Sequence, residues 1–289
     1  MNQNSLYQQL RSHLAYLRLG AAAEALPAHL ERAQKDKLSH TAFLEQLLAV
    51  EVTTTEQRRL AGRLRFASLP APWRLEDFDF DAQPSLDRKL VEDLATMRFV
   101  EEAGNVLLVG PPGVGKTMLA VCLARRAAEA GHRVYFTTAA ELVARCHRAA
   151  IEGRWATTMR FYAGPQLLVI DELGYLAMKS EAAAALFQVI SQRYLKSSII
   201  LTTNRGIGPA WGQIFDDPMV AVAMLDRLLH RAAVLQIDGE SYRMRAHRAR
   251  VEHHRRSLRT PMPEDLLRDA GSLVGGGQNG EGEVTPPTH

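Results

Sequence analysis

The chain has 289 residues, which is enough for one large hydrophobic core, or for one such core with a small helical appendage. Its formal net charge of +3 is mild, so any nucleic-acid surface would have to come from local clusters of basic residues. Two cysteines are too few for a disulfide framework, and the absence of a signal-peptide pattern and of any long apolar run predicts a cytoplasmic protein that does not enter a membrane.

The first 67 residues have the pattern of helices. Leucines recur at helical spacing near the N-terminus, and a second periodic run has few helix breakers. The leucines are Leu6, Leu10, Leu14 and Leu17, and the second run extends from Thr41 to Phe66. Prolines interrupt the pattern near residue 70. We therefore expect an N-terminal helical domain over residues 1–69 and an extended linker with aromatic anchors over residues 70–104.

From residue 105 the sequence alternates between short apolar runs and longer helical segments. The short runs are VLLVG, RVYFTT, QLLVID, SIILTT and AAVLQI. Short, fully apolar strands separated by helices are typical of a parallel sheet covered on both faces, so we predict an α/β core over residues 105–245. Residues 246–289 are rich first in arginine and then in glycine and proline, which predicts a basic and then disordered tail.

The segment GPPGVGKT follows the first predicted strand and opens a helix, and it has the G-x-x-x-x-G-K-[ST] pattern of a phosphate-binding loop. Its glycines let backbone N–H groups converge on phosphate oxygens, and the helix N-terminus adds its dipole. We expect Lys116 to reach the β- and γ-phosphates and the Thr117 hydroxyl to ligate Mg²⁺. The predicted nucleotide-binding residues are Gly110, Pro111, Pro112, Gly113, Val114, Gly115, Lys116, Thr117 and Met118.

Polar residues follow two of the later predicted strands. Asp171 and Glu172 end the strand LLVID, and an acid in this place holds Mg²⁺ in P-loop enzymes, which assigns Asp171 to the metal. Glu172 beside it is placed to orient or deprotonate the attacking water. Asn204 ends the strand SIILTT and can hydrogen-bond the same water. A solvated acidic turn and an ordinary turn asparagine are the alternatives, and the order of the motifs favours the catalytic interpretation.

Arg227 and Arg231 lie a whole helix beyond Asn204, so their own active site does not explain both of them. An arginine offered to the γ-phosphate in a neighbouring subunit would stabilise the charge of the transition state. A solvated or salt-bridged helix end is the alternative for either residue. The sequence does not separate the two arginines as candidates.

The ordered set of GPPGVGKT, LLVIDELGYL, ILTTNRG and LLHRAAVLQIDGESYR resembles the IstB-like AAA+ ATPases, the transposition helpers of bacterial insertion sequences, which are related to the DnaC helicase loader. The segment LEDFDF ahead of the core adds to this resemblance, which covers residues 5–250. The resemblance implies a P-loop AAA+ core without a full C-terminal lid. It also implies that Asn204 is sensor 1, that Arg227 or Arg231 is an arginine finger, and that Arg243 is a reduced second sensor at the nucleotide.

The function implied by this resemblance is an ATP-dependent DNA-binding oligomer. Such a protein uses ATP and Mg²⁺, assembles on double-stranded target DNA largely without sequence specificity, and recruits or activates a partner transposase of the IstA type. The alternative is a DnaC-like replicative helicase loader that contacts single strands. A zinc-bearing loader is excluded because residues 1–70 contain no cysteine and only three histidines, His13, His29 and His40.

Three clusters of arginines are candidates for contacts with DNA phosphates. One lies in the N-terminal helices, one follows the second predicted strand, and one lies in the tail. A solvated helix face is the alternative for each, and we favour the second because the same segment faces the central channel of related AAA+ rings. The clusters are Arg58, Arg59, Arg63 and Arg65; Arg145, Arg148, Arg154 and Arg160; and the arginines from Arg243 to Arg259.

Overall fold

The computed structural model describes residues 3–175, 178–208, 211–212, 214–215, 217–242, 244 and 251. Its contacts divide the chain into one unit over Met1–Ser241 and another over Tyr242–His289, and the fold below is that of the first unit. Arg243, the tail arginines and the region where a C-terminal lid would lie are outside the described residues. The predicted roles of these residues stay predictions.

The N-terminal part of the chain consists of helices, as predicted. They are α1 (Gln3–Tyr16), α2 (Gly20–Asp36) and α3 (His40–Ala67). The side chain of Ser39 starts α3 by accepting a hydrogen bond from the backbone N–H of Ala42 at 3.2 Å. Leu14, Leu26 and Leu47 form a small core between the three helices. The periodic leucines therefore predicted the helices correctly, although Leu6, Leu10 and Leu17 remain exposed.

The segment between residues 70 and 104 is not extended throughout, which differs from the expectation. It contains a 3₁₀ turn over Leu75–Asp77 and two short helices, α4 (Arg88–Leu94) and α5 (Arg98–Glu101). The Asp87 carboxylate begins α4 by accepting hydrogen bonds from two backbone N–H groups of its first turn. Phe78 is buried, and its ring lies 5.0 Å from that of Phe80, so the aromatic residues anchor this segment to the core.

Five parallel strands form the central sheet, in the order β2-β3-β4-β1-β5. The strands are β1 (Asn105–Val109), β2 (Val134–Thr138), β3 (Leu167–Leu173), β4 (Ser198–Thr203) and β5 (Ala232–Gln236). The five apolar runs of the sequence are thus the five strands, and the predicted α/β class is confirmed. Because β4 lies between β3 and β1, the carboxyl ends of these three strands are adjacent at one edge of the sheet.

Helices cover both faces of the sheet and divide the core into two layers. They are α6 (Lys116–Glu129), α7 (Ala139–Ile151), α8 (Trp155–Ala163), α9 (Ser180–Arg193) and α10 (Pro218–Leu229). Val106 and Leu108 pack into the layer that contains α6, whereas Leu107 and Val109 pack into the layer that contains α7 to α10. This alternation within β1 shows that both faces of the strand are buried, as a parallel sheet requires.

The fully buried Arg193 stabilises the side of the sheet where the strands begin, opposite to the phosphate-binding loop. The Arg193 guanidinium donates hydrogen bonds to four backbone carbonyls, including Tyr162 O and Ser198 O at 2.7 Å each. Burial lowers the pKa of Arg193 to about 9, so the group still carries its charge at neutral pH. It therefore joins α9, the end of α8 and the start of β4 through charge-assisted hydrogen bonds.

The two cysteines are free and buried, Cys122 in α6 and Cys146 in α7. Burial raises the pKa of Cys122 to about 12 and that of Cys146 to about 11, so both thiols stay protonated at neutral pH. Among the described helices, none combines the length and the hydropathy needed to cross a bilayer.

Candidate functional site

The loop between β1 and α6 closes around the ammonium group of Lys116. The Nζ atom donates hydrogen bonds to the backbone oxygens of Gly110 and Pro111, both at 2.8 Å, and the side chain is buried. Gly115, immediately before the helix, has a φ of +99°, a conformation that glycine adopts without strain. Val114 anchors the loop in the core, while Pro111 and Pro112 are exposed. The loop therefore holds a buried cation at the N-terminus of a 14-residue helix.

Two glycines of this loop are in close contact with the segment that follows β5. A Cβ atom on Gly110 would lie 2.1 Å from the backbone oxygen of Ile237. A Cβ atom on Gly113, where φ is +85°, would lie 2.1 Å from Ser241 Oγ. The contact at Gly110 is with backbone and excludes any side chain there, whereas at Gly113 both the Ser241 side chain and the positive φ favour glycine.

A hydroxyl–carboxylate cluster lies beside the loop, at the carboxyl ends of β3 and β4. Thr117 Oγ1 is 3.0 and 3.1 Å from the two carboxylate oxygens of Asp171, which is buried. The Thr202 hydroxyl also donates to Asp171 and accepts a hydrogen bond from the backbone N–H of Glu172 at 2.9 Å. The pairing of β3 with β4 is irregular between Ile170 and Leu173, and Glu172 has a φ of +62°. This bulge leaves the Glu172 side chain exposed while Asp171 faces inward.

Asn204 lies next to the same cluster because β4 pairs with β1. Val109 is the register partner of Thr203, and Gly110 N donates to Thr203 O at 3.2 Å. The Oδ1 atom of Asn204 is buried and has no hydrogen-bond partner within the described part of the chain. A buried acceptor of this kind is costly unless a donor arrives, and a water molecule or a ligand would supply one.

The predicted site residues thus separate into two groups. The residues of the loop, the two acids and the asparagine meet at one edge of the sheet. They are Gly110, Pro111, Pro112, Gly113, Val114, Gly115, Lys116, Thr117, Met118, Asp171, Glu172 and Asn204.

Arg227 and Arg231 lie at the opposite edge. The backbone oxygen of Arg231 accepts a hydrogen bond from the N–H of Asn105, the first residue of β1, at 3.0 Å. Arg227 donates to Ala223 O at 2.9 Å within α10, and its guanidinium lies 4.7 Å from the centre of the Phe187 ring. Neither arginine is therefore at the phosphate-binding loop of its own chain.

The oxygen ligands beside the loop fit a magnesium ion. Thr117 and Asp171 provide a hydroxyl and a carboxylate within hydrogen-bond distance of each other, which are hard oxygen ligands. No group of three or more His, Cys, Asp or Glu side chains with metal-binding geometry occurs in the described ranges. This ligand set matches a cation that keeps several waters and shares substrate phosphates, rather than one enclosed by protein.

Two of the three predicted basic clusters lie next to each other on the structure. The ring of Phe66, at the end of α3, lies 6.2 Å from that of Phe161 in α8, measured between ring centres. Arg133 lies over Phe66 at 4.1 Å, and Arg145 lies over Phe161 at 4.0 Å. Other basic side chains exposed on α3, on α7 and at α8 are Arg58, Arg59, Arg65, Arg148, Arg154 and Arg160. We call the surface around Phe66 and Phe161 the aromatic–basic surface.

Some arginines of these clusters have structural partners. Arg63 donates from Nε to Ala128 O at 2.7 Å and thereby fixes α3 against α6. Arg154 forms an ion pair with Glu152. These contacts show why a count of arginines in the sequence overestimates the charge that is available to a ligand.

Comparison with known proteins places the chain in a family. A model described as "IstB-like ATP binding protein" matches residues 12–250, which is most of the chain. The chain belongs to this IstB-like family. One relative belongs to insertion sequence IS21 of Pseudomonas aeruginosa, and its name proposes that it binds ATP. It is 42% identical over 83% of this chain and 90% of its own length. A similarly named protein of insertion sequence IS5376 from Geobacillus stearothermophilus is 38% identical over 85% of this chain and 97% of its own length.

The solved structures show the fold of the IstB-like chain. AMPPCP-bound DnaA from Aquifex aeolicus aligns with a TM-score of 0.50 and 18% identity, over 70% of this chain and 60% of that one. The five-stranded parallel sheet, the phosphate-binding loop and the flanking helices are those of a P-loop AAA+ protein, as the resemblance implied.

Thr202 is a residue of this site that sequence reasoning missed. Its hydroxyl joins Asp171 to the backbone of Glu172 and thereby holds the two acids in one arrangement. The available signal was a threonine two residues before Asn204, in the strand SIILTT. Because no local pattern shows which strands pair or in what register, this signal could not be interpreted before β4 was placed beside β3.

Replacement of Gly110 by alanine tests the close contact between the loop and the segment after β5. The new Cβ would overlap the backbone oxygen of Ile237, so we expect Gly110→Ala to lower the free energy of unfolding by about 2–3 kcal/mol without nucleotide. Gly131→Ala is the control, because Gly131 has a φ of +102° and open space around its Cβ position. That variant should lose only about 1 kcal/mol, from backbone strain. Denaturant unfolding measures both, and equal losses would contradict the predicted overlap.

Proposed function

We propose that this IstB-like protein is an ATPase that binds double-stranded DNA as an ATP-dependent oligomer and recruits or activates a partner transposase of the IstA type. The observation that carries the proposal is the separation of the site residues. Lys116, Asp171 and Glu172 lie at one edge of the sheet, while Arg227 and Arg231 lie at the other. A second copy of the chain could place its arginine edge against this site, which a single chain cannot do for itself. The names of the relatives, which connect ATP binding with insertion sequences, support the same function.

The nucleotide-binding step follows from the loop. Lys116 would exchange its hydrogen bonds to Gly110 O and Pro111 O for bonds to the β- and γ-phosphates, with the free N–H groups at the start of α6 beside it. Thr117 and Asp171 would hold Mg²⁺, which neutralises phosphate charge when it is bound. The Thr202 hydroxyl keeps the Asp171 carboxylate in position for this task.

Hydrolysis requires a base and an orienting group near the γ-phosphate. The exposed carboxylate of Glu172 would take the proton from the attacking water, since the bulge turns it away from the core. The unpaired Oδ1 of Asn204 would accept a hydrogen bond from the same water and orient it. Glu172 lies near the carboxyl end of β3 and Asn204 follows β4, which pairs with both β3 and β1, and this supports a shared reaction volume.

Arg231 is the better candidate for the arginine that acts on a neighbouring subunit. Arg227 is held by Ala223 O and by the ring of Phe187, and it is only partly exposed. Arg231 is exposed, and the hydrogen bond from its Nη1 to Glu102 O is long, at 3.5 Å. An exposed guanidinium with a weak partner loses little when it leaves that partner for a phosphate.

The aromatic–basic surface is our proposed DNA contact. It combines Arg133 and Arg145, which lie over the rings of Phe66 and Phe161, with exposed arginines on α3 and α8, although the net charge of the chain is only +3. Arginines held over aromatic rings present their N–H groups in a fixed orientation, which suits phosphate oxygens. Contacts of this kind are independent of base sequence.

Lys116→Ala tests whether nucleotide controls assembly. The variant should lose about a hundredfold in ATP affinity, because a buried charge–phosphate contact is removed, and it should lose the large ATP-dependent complex on duplex DNA. Lys89→Ala, at an exposed lysine of α4, is the control and should behave as the wild type. The measurement is size-resolved binding to duplex and single-stranded DNA with ATP, with ADP and without nucleotide.

Two outcomes of this experiment would oppose the proposal. Normal ATP-dependent binding to duplex DNA by Lys116→Ala would contradict the role of the loop. A preference of the wild type for single strands, or DNA binding only when a replicative helicase is present, would instead support a helicase loader.

Neutral substitutions on the aromatic–basic surface test the DNA contact. The double variant Arg65→Gln with Arg160→Gln should bind duplex DNA more weakly, and the slope of log affinity against log salt should become shallower by about 1.8, since each lost phosphate contact removes about 0.9. Arg98→Gln, at an exposed position in α5 away from this surface, should leave the slope unchanged. An unchanged slope in the double variant would exclude these arginines from the phosphate contacts.

Mixed assemblies test the shared active site. Glu172→Gln and Arg231→Ala should each hydrolyse ATP at about 1% of the wild-type rate or less, because one removes the base and the other the finger. A one-to-one mixture should regain roughly a quarter of the wild-type rate. An active site then needs the base of an Arg231→Ala subunit and the arginine of a neighbouring Glu172→Gln subunit, and random assembly produces this pair at about that frequency. If Arg231→Ala hydrolyses ATP by itself, and Arg227→Ala regains hydrolysis only when it is mixed with Glu172→Gln, then Arg227 is the arginine finger. No recovery in either mixture would contradict a site built from two subunits.

A further inference from the structure

Two chain segments outside the recognised motifs border the phosphate-binding loop. The first, residues 78–86, precedes β1, and a Cβ on Gly115 would lie 3.2 Å from the Phe78 ring. The second, residues 237–241, follows β5 and contacts the loop at both of its ends, at Gly110 through Ile237 and at Gly113 through Ser241. We call them the entry segment and the exit segment.

Hydrogen bonds join these two segments directly. The Ser85 hydroxyl donates to Asp238 O at 2.8 Å, and Asp238 N donates to Ser85 Oγ at 2.9 Å. A Cβ on Gly239 would lie 3.1 Å from Oε1 of Gln83. Gln83 therefore contacts the midpoint of a five-residue segment whose two ends touch the phosphate-binding loop.

Gln83 is exceptional because its amide is buried without partners. The residue is 3% exposed, and neither Oε1 nor Nε2 has a hydrogen-bond partner in the described part of the chain. Two unpaired polar atoms in one buried side chain are expensive, since each costs about 1–3 kcal/mol when it is left unsatisfied. Its backbone is fully engaged, with Gln83 N donating to Phe80 O and Gln83 O accepting from Leu86 N, both at 3.0 Å. The unused hydrogen-bonding capacity of Gln83 is therefore confined to its side-chain amide.

The surroundings of Gln83 suit a neutral ring rather than another phosphate. Both segments carry exposed acidic residues, which would repel an anion. The entry segment contributes the buried ring of Phe78 and the ring of Phe80, over which the Arg88 guanidinium lies at 5.2 Å. The acidic residues are Asp79, Asp81, Asp238 and Glu240. An amide presents a donor and an acceptor side by side, which matches the edge of adenine, where an amino group stands next to a ring nitrogen.

We propose that Gln83 recognises the base of the bound nucleotide, with Oε1 accepting from the amino group of adenine and Nε2 donating to the neighbouring ring nitrogen. This inference rests on the proposed binding of ATP, and it identifies the residue that reads the base. The phosphates would lie on the loop, and the base would lie beside the Gln83 amide, where the entry segment meets the exit segment. A buried water that pairs with the amide is the competing explanation, and it predicts no effect of Gln83 on nucleotide choice.

The test uses the full chain and three probes, ATP, GTP and inorganic tripolyphosphate, in titrations without DNA. Gln83→Leu removes both hydrogen-bonding atoms at nearly constant volume, so ATP affinity should fall about tenfold, whereas affinity for tripolyphosphate, which has no base, should stay within about twofold. Gln83→Glu presents acceptors only, which fit the two donors on the guanine edge and oppose the adenine ring nitrogen. Its preference for ATP over GTP should therefore shift toward GTP by about tenfold. Gln192→Leu and Gln192→Glu, at an exposed glutamine of α9, are the matched controls.

Thermal unfolding of the nucleotide-free variants separates recognition from a structural role. An unpaired buried amide replaced by an apolar group should leave Tm unchanged or raise it, whereas an amide satisfied by structural water should give a lower Tm. Unaltered ATP-to-GTP ratios in both Gln83 variants would overturn the assignment, even if ATP affinity fell. Lys116→Ala in the same titrations should lose ATP and tripolyphosphate together. If the wild type binds ATP and the Gln83 variants keep its ATP-to-GTP ratio, only the role of Gln83 in recognising the base is overturned. If the wild type binds no ATP, the proposed function is overturned as well.

Discussion

The position of β4 between β3 and β1 is the constraint on which the site depends. Its parallel pairing with both neighbours brings the loop after β1, the acids of β3 and the asparagine after β4 to one edge of the sheet. The Thr202 hydroxyl then joins two of these strand ends by hydrogen bonds to Asp171 and Glu172. Parallel pairing therefore brings together groups that lie far apart in the sequence.

The same sheet explains why the proposed ATPase needs a second subunit. Each parallel strand runs from the side of the sheet where the strands begin to the side where they end. Helix α10 then returns the chain to the side where the strands begin, and β5 starts there. Arg231 immediately precedes β5, so its backbone is fixed beside Asn105, at the start of β1, rather than beside the loop that follows β1. The fold thus separates the phosphate-binding groups from the arginines within one chain, and in the proposed oligomer a second copy would bring both to one phosphate.

The segments on either side of the core show how a site can extend beyond its motifs. Residues 78–86 and 237–241 have little regular structure, yet hydrogen bonds between Ser85 and Asp238 hold them together over the loop. Gly110 and Gly113 permit this packing because they carry no Cβ. The buried amide of Gln83 is a feature of this contact alone, and it extends the interpretation of the protein from phosphate binding to choice of the base.

The sequence by itself determined the five strands, the N-terminal helices, the phosphate-binding loop and the identity of the acids, because apolar periodicity and glycine spacing are local properties. It misjudged the segment over residues 70–104, which contains two short helices, the first of them capped by the Asp87 side chain. Only the tertiary structure decided that Thr202 joins the acids, that α3 and α8 share one basic surface, and that Gln83 is buried without partners. These features depend on contacts between residues distant in sequence, and the free energy of such contacts is set by burial and geometry that no local pattern encodes.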